Sequence, residues 1–168
     1  MEEVVARYED QARYHVTPQP AESEQENTII AQALAILARR MVTREIFSSP
    51  DAVKNYCQLS LARKPHEVFG VLFLDAQNRL IQWEEMFRGT LTQTAVYPRE
   101  VVKRTLEVGA AAVILCHNHP SGTVQPSQPD ENLTRLLKQA LVLVDVRVLD
   151  HIIVAPGQAL SMAEKGLV

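Results

Sequence analysis

The richest chemistry in the chain lies in one short segment that combines two histidines, a serine and an aspartate. His117 and His119 are separated by a single residue, and Ser127 and Asp130 follow them. Side chains alternate along an extended chain, so the two imidazoles should point to the same side. Two neutral histidines and one carboxylate form a typical catalytic zinc shell, which leaves a fourth position for water. The segment therefore indicates a candidate metal-dependent hydrolase.

Zinc is the metal that these residue types fit best. Imidazole suits zinc, copper, iron and nickel, whereas magnesium and calcium prefer shells of oxygen atoms. Non-haem iron sites also combine two histidines with one carboxylate, so the residue types alone leave iron open. We therefore expect Zn²⁺ as the cofactor, with iron as the alternative.

Hydrolysis by metal-activated water also needs a group that moves protons, and a carboxylate can take a proton from water and pass it to a leaving amine. The candidate carboxylates in the sequence are Glu67, Glu84, Glu85, Glu100 and Glu131. Glu67 lies in an otherwise apolar strand segment, where a carboxylate is costly without a role. A solvent-exposed strand start beside Pro65 would account for it as well, so the residues alone leave the base open.

Ser127 and Asp130 also fit a structural role at the start of a helix. Ser-x-x-Asp resembles a capping box, and Pro129 is well suited to a first helical turn. The two roles are compatible, because a residue that caps a helix can also face the end of a strand. Neither this motif nor His-x-His is specific alone, and their joint spacing is what favours a metal site.

The elements around this segment predict an α/β fold with a mixed β-sheet flanked by helices. A short apolar strand at residues 111–116 leads into the histidine loop, and the chain after Gly157 should form only a short tail. The other predicted strands cover residues 66–75, 79–87, 92–97 and 146–155, the first two forming a hairpin around residues 76–78. The predicted helices cover residues 28–41, 50–61 (capped by Ser49), 98–109 and 128–143.

The composition favours a single soluble domain in the cytoplasm. The longest apolar run of this 168-residue chain, residues 110–116, is too short to span a bilayer, and the acidic N-terminus does not resemble a signal peptide. The net charge of −3 does not favour a dedicated nucleic-acid-binding protein. Cys57 and Cys116 should be reduced packing residues, with Cys116 pointing away from His117.

We expect three regions along the chain. Residues 1–27 are acidic and polar and should form a flexible arm, residues 28–64 an N-terminal helical segment, and residues 65–168 the metal-dependent hydrolase domain. The sequence indicates no membrane partner, and it does not distinguish a monomer from a homodimer.

From His66 to the C-terminus, the chain resembles a RadC-type member of the JAMM (JAB/MPN) metalloprotease superfamily. The central motifs are His-Asn-His-Pro-Ser-Gly at residues 117–122, Pro-Ser at residues 126–127, and Asp130. Further matching motifs are Glu-Val-Phe-Gly-Val-Leu at residues 67–72, Tyr-Pro-Arg at residues 97–99 and Asp-His-Ile-Ile at residues 150–153. The resemblance implies the cytidine-deaminase-like sandwich of that superfamily.

The resemblance also implies roles for individual residues. His117, His119 and Asp130 would bind Zn²⁺, Glu67 would be the general acid/base, and the Ser127 hydroxyl would stabilise an oxyanion. The implied reaction is hydrolysis of an amide or isopeptide bond in an unidentified protein or peptide. Superfamily members with isopeptidase activity usually have Ser or Thr between the two histidines. The chain has asparagine there, which counts against a ubiquitin-like substrate.

His151 lies in a predicted buried strand, where a histidine is more often a satisfied core residue than a metal ligand. Its neighbour Asp150 could instead orient a metal-bound imidazole. The resemblance marks this pair of residues without assigning a role to either.

Longer RadC-like proteins resemble fusions with an N-terminal helix-hairpin-helix DNA-binding domain, whose hairpin needs glycines, and this chain has no glycine before Gly70. We therefore expect that part to be absent, as in the short RadC-like proteins of bacterial mobile elements.

Two other functions stay open. The first alternative is a DNA-repair-associated accessory protein with a structural or vestigial metal site. The second is a metal-dependent nuclease or nucleotide hydrolase.

Overall fold

A mixed five-stranded sheet forms the centre of the fold. The computed structural model describes residues 24–42, 50–89 and 95–168. The helices are α1 (Glu24–Val42), α2 (Pro50–Leu61), α3 (Pro98–Glu107) and α4 (Gln128–Val142), and the strands are β1 (Val68–Leu74), β2 (Leu80–Arg88), β3 (Ala112–Asn118), β4 (Arg147–Ala155) and β5 (Gln158–Ser161).

The strands lie in the order β2-β1-β3-β4-β5. β1 pairs antiparallel with β2 and with β3, β3 pairs parallel with β4, and β5 returns antiparallel along β4. β3 is thus the central strand, and every residue in it is buried. A strand covered on both faces needs an almost continuous apolar sequence, which β3 has until its last two residues. The predicted mixed sheet is confirmed.

Helices cover both faces of the sheet. α2 packs on one face over a core that includes Cys57, Ile114 and Cys116, with part of α1 beside it. α3 and α4 cover the other face over Val113 and Leu115. Successive side chains of a strand point to opposite faces, so Cys116 points away from His117 as predicted. Within the described part of the chain, no helix has both the length and the apolar content needed to cross a membrane.

Most predicted elements have the predicted type, and their ends differ. β3 continues through Asn118, so that His117 belongs to the strand and not to the loop after it. β5 replaces the expected tail: it is a short strand joined to β4 through a tight turn in which Gly157 has a φ of 74°. The expected third strand is not formed at residues 95–97. Its remaining residues, 92–94, and the Ser49 cap lie outside the described residues.

Asn118 ties the end of β3 to the chain segment that carries Glu67. The Asn118 side chain is 1 % exposed. Its Oδ1 accepts a hydrogen bond from the Val68 amide at 2.8 Å, and its Nδ2 donates to the carbonyls of Lys64 and His66 at 3.3 and 3.1 Å. One side chain therefore fixes the backbone on both sides of Glu67 relative to the two histidines.

We expect Asn118→Ala to lower the free energy of unfolding by about 2 kcal/mol, because it leaves a buried amide and two carbonyls without their partner. Urea denaturation of the metal-free protein measures this loss. The matched control is Asn132→Ala, which truncates an exposed asparagine on α4 and should change stability by less than about 0.5 kcal/mol. Equal stability of the two variants would contradict the role given to Asn118.

Candidate metal centre

Three side chains with metal-binding atoms meet where β3 ends and α4 begins. The candidate donor atoms of His117, His119 and Asp130 all lie within 4.8 Å of one another. His117 Nε2 lies 2.9 Å from His119 Nε2 and 3.3 Å from Asp130 Oδ1, and His119 Nε2 lies 3.6 Å from Asp130 Oδ2. The fold thus brings together the residues that the sequence predicted as metal ligands.

The separations between these atoms are close to those in a tetrahedral zinc shell. Zinc bonds of about 2.0–2.1 Å to nitrogen and oxygen place two ligand atoms about 3.3 Å apart in a tetrahedron, and the observed distances lie on both sides of that value. His117 faces Oδ1 of Asp130, whereas His119 faces Oδ2. The orientation of His119 agrees, because its Nδ1 lies 2.9 Å from the Thr123 carbonyl oxygen. A carbonyl only accepts, so this nitrogen carries the proton and Nε2 keeps its lone pair for a metal.

Burial and hydrogen bonding shift the pKa values of the two histidines in opposite directions. Burial lowers the pKa of His117 to about 4, although the Asp130 charge opposes the shift. Its imidazole is therefore neutral at physiological pH, as a ligand must be. The hydrogen bond with Asp130 raises the pKa of His119. A proton on His119 and a divalent cation would occupy the same position, so the two compete.

Ser127 holds the Asp130 carboxylate in place. Both the backbone amide and the hydroxyl of Ser127 donate to Asp130 Oδ2, at 2.7 and 2.6 Å, and the Asp130 amide donates back to Ser127 Oγ at 3.3 Å. This is a capping box at the start of α4, so the predicted cap is confirmed. Burial would raise the pKa of Asp130, but its hydrogen bonds with His119 and with Ser127 outweigh that effect, and the pKa is lowered.

An open cleft of about 740 Å³ leads to these three residues. Its polar walls include Glu67, Thr123 and Gln125, and its apolar walls include Phe69 and Leu133. The negative charge of Glu67 is also one of the influences that raise the pKa of His119, after the stronger hydrogen bond with Asp130. Glu67 therefore lines the same cleft as the three candidate ligands, and its charge acts on His119.

The other four glutamate candidates do not line the cleft. Glu84 forms an ion pair with Arg104, Glu85 with Lys64 and Glu100 with Arg99. Glu131 lies in the first turn of α4. Among the five glutamates, the structure thus leaves Glu67 as the candidate general base.

His151 contacts the centre, whereas Asp150 faces away from it. His151 Nε2 lies 2.7 Å from His117 Nδ1. The Asp150 carboxylate accepts hydrogen bonds from the Ser161 hydroxyl at 2.6 Å and from the Ala163 amide at 2.9 Å. The imidazole partner is therefore His151 itself and not Asp150.

Sequence reasoning missed Thr134, whose Oγ1 lies 2.6 Å from His151 Nδ1. The available signal was weak: a threonine one helical turn after Asp130, on the buried face of a helix whose other buried residues are leucines.

Comparison with known proteins agrees with this site. The family model for the RadC-like JAB domain matches residues 47–167. The chain is 63 % identical over 148 residues to a UPF0758 protein of Albidiferax ferrireducens and 64 % identical over 149 residues to one of Acidovorax sp.. The aligned segments cover 88 and 89 % of this chain and 63 % of each relative.

The chain therefore spans less than two thirds of the length of these relatives. Their names describe no activity. The family match begins before α2 and includes the histidine segment, Glu67 and the pair at residues 150–151. The chain belongs to the RadC-like branch of the JAB/MPN family.

Proposed function

We propose that the protein is a zinc-dependent hydrolase that cleaves an amide or isopeptide bond. The observation that carries the proposal is the meeting of His117, His119 and Asp130 at 2.9–3.6 Å in a cleft that also contains Glu67. Two imidazole nitrogens and the two oxygens of one carboxylate converge there, which is an arrangement that a divalent cation stabilises. Membership of the RadC-like JAB family supports the same chemistry.

In the proposed mechanism, His117, His119 and Asp130 hold the ion. A bound zinc supplies Lewis acidity, which lowers the pKa of water and polarises a scissile carbonyl. The Glu67 carboxylate accepts a proton from the attacking water and returns it to the leaving nitrogen. Asn118 fixes the backbone on both sides of Glu67, so the fold holds the main chain of Glu67 in place relative to the histidines.

Ser127 can serve the reaction in two ways. Its backbone amide holds Asp130 Oδ2 at 2.7 Å independently of its side chain. Its hydroxyl donates to the same oxygen at 2.6 Å, so it must turn towards the cleft before it can donate to an oxyanion. The amide would keep the ligand in position during that rotation.

The lining of the cleft favours a peptide over a nucleic acid. Its walls combine apolar side chains with polar and acidic ones, and the described lining residues include neither lysine nor arginine. Phosphate backbones are bound mainly through such cations. Asn118 is buried and cannot contact a substrate, so the residue between the histidines influences the substrate only indirectly.

We expect the wild-type protein to retain one zinc ion per chain and His119→Ala to lose most of it, because a zinc shell with one protein ligand fewer binds much more weakly. Elemental analysis after dialysis against metal-free buffer measures this. His66→Ala is the matched control, since the His66 side chain is not part of the centre. A wild-type protein that binds neither zinc nor iron would contradict the proposal.

We expect Glu67→Gln to keep its zinc and to lose at least about 10²-fold in turnover, because the amide cannot accept the proton from water. Mass spectrometry of a mixed synthetic peptide library incubated with the zinc-loaded enzyme measures turnover. Glu85→Gln, which lies outside the cleft, should keep wild-type activity.

Cleavage that Glu67→Gln or zinc removal leaves unchanged would contradict the mechanism. Zinc-dependent cleavage of single-stranded DNA without cleavage of any peptide would instead support a nuclease.

A further inference from the structure

A chain of buried polar groups runs behind the metal centre from α4 through β4 to β3. The Thr134 hydroxyl lies 2.7 Å from the Asp130 carbonyl oxygen and 2.6 Å from His151 Nδ1, and His151 Nε2 lies 2.7 Å from His117 Nδ1. Thr134, His151 and His117 are 1, 0 and 2 % exposed. Buried polar atoms without partners are costly, so these contacts must carry hydrogen bonds.

The direction of these hydrogen bonds follows from the carbonyl at one end. A carbonyl oxygen only accepts, so the single hydroxyl proton of Thr134 is donated to Asp130. The hydroxyl oxygen must then accept from His151 Nδ1–H, which leaves a lone pair on His151 Nε2. That nitrogen accepts from His117 Nδ1–H, and the lone pair of His117 Nε2 is left facing His119 and Asp130.

The opposite direction is unfavourable. If Thr134 donated to His151, two oxygen lone pairs would face each other at 2.7 Å, at Thr134 and the Asp130 carbonyl, with no proton between them. His151 would then donate to His117 Nδ1, and His117 would point an N–H at its metal-binding neighbours. The three contacts from the Asp130 carbonyl through Thr134 and His151 to His117 Nδ1 are therefore all satisfied only in the direction that frees His117 Nε2.

We propose that Thr134 and His151 are positioning residues that fix the tautomer and ring orientation of His117 for metal binding. This inference rests on the metal binding in the proposed function and extends it to residues that do not touch the metal. The chain of bonds starts at the backbone of Asp130 and ends beside its carboxylate, so it also couples the first turn of α4 to the histidine on β3.

The hydrogen-bonded chain formed by Thr134, His151 and His117 is called the relay below. The surroundings of His151 favour its persistence. The His151 and Phe69 rings pack in a T-shaped arrangement, with ring centroids 5.7 Å apart and planes at 74°. Phe69 is 1 % exposed and lines the cleft, so it separates His151 from solvent. His151 itself is fully buried, and a neutral imidazole can accept on one nitrogen while it donates on the other.

His119 is held differently. Its Nδ1 donates to the carbonyl of Thr123, which lies in an exposed loop. The protein core therefore orients one histidine and a surface loop orients the other. Removal of the relay should then weaken zinc binding through His117 while the His119 contact stays intact.

The first test is zinc affinity at one pH, measured by competition with a chromophoric chelator. We expect Thr134→Val, which keeps the shape and removes the hydroxyl, and His151→Phe, which keeps a ring and removes both nitrogens, to bind zinc 10–100-fold more weakly. Thr134→Ser keeps the hydroxyl and should stay within about threefold of wild type.

The matched control is Thr105→Val on α3. Thr105 is equally buried and its hydroxyl donates to the Val101 carbonyl at 2.7 Å, but it lies outside the centre. This substitution should leave zinc affinity unchanged, which separates loss of the relay from loss of any buried hydroxyl.

The second test reads the tautomers directly, by long-range ¹H–¹⁵N NMR of histidine-labelled, metal-free protein. Wild type should show His117 protonated on Nδ1. In Thr134→Val, His151 loses its acceptor, so we expect both rings to shift towards protonation on Nε2. This measurement keeps the proposal testable if His151→Phe fails to fold.

The outcomes separate the two proposals. Folded variants that bind zinc with wild-type affinity and keep the wild-type tautomers would overturn the relay and leave the hydrolase proposal standing. A wild-type protein that binds neither zinc nor iron would overturn the proposed function, and the NMR measurement would still decide whether the relay sets the tautomer.

Discussion

The alternation of side chains at the end of β3 is the constraint on which the candidate site depends. His117 and Asn118 are neighbours on a strand that is buried on both faces, so they must point in opposite directions. One face receives the imidazole, which meets His119 and Asp130. The other receives the amide, which fixes the backbone around Glu67. Two adjacent residues thus connect the candidate ligands with the segment that carries the candidate base: His117 is one of the ligands, and Asn118 is hydrogen-bonded to that segment.

Two polar residues can occupy such a position only if their atoms are paired. Isolated buried polar groups cost several kcal/mol relative to water, and here Asn118 and His151 have partners on every polar side-chain atom. The Nε2 atoms of His117 and His119 face each other and the Asp130 carboxylate. A cation bound between them would be stabilised by all three side chains, and ligand binding to the native state also stabilises the fold. The surrounding polar groups are thus paired within the protein, and the candidate ligand atoms converge on one position.

The sequence predicted the parts of the structure that local rules determine. The alternation of side chains brought His117 and His119 to one side, and the Ser-x-x-Asp motif identified the capping box at Ser127. The contact of His151 with His117 and Thr134 could not be predicted, because it joins residues from three elements through tertiary packing alone. β5 was missed because four residues after a tight turn carry too little periodicity to distinguish a strand from a tail.

Asn118 shows why an interpretation based on motif alone was incomplete. In the sequence, asparagine between the histidines bore only on the substrate. In the structure it is an amide that accepts one hydrogen bond and donates two. A serine or threonine hydroxyl is shorter and has one proton to donate, so it could not hold the same three backbone groups. In this chain the asparagine therefore anchors the segment that carries the candidate base.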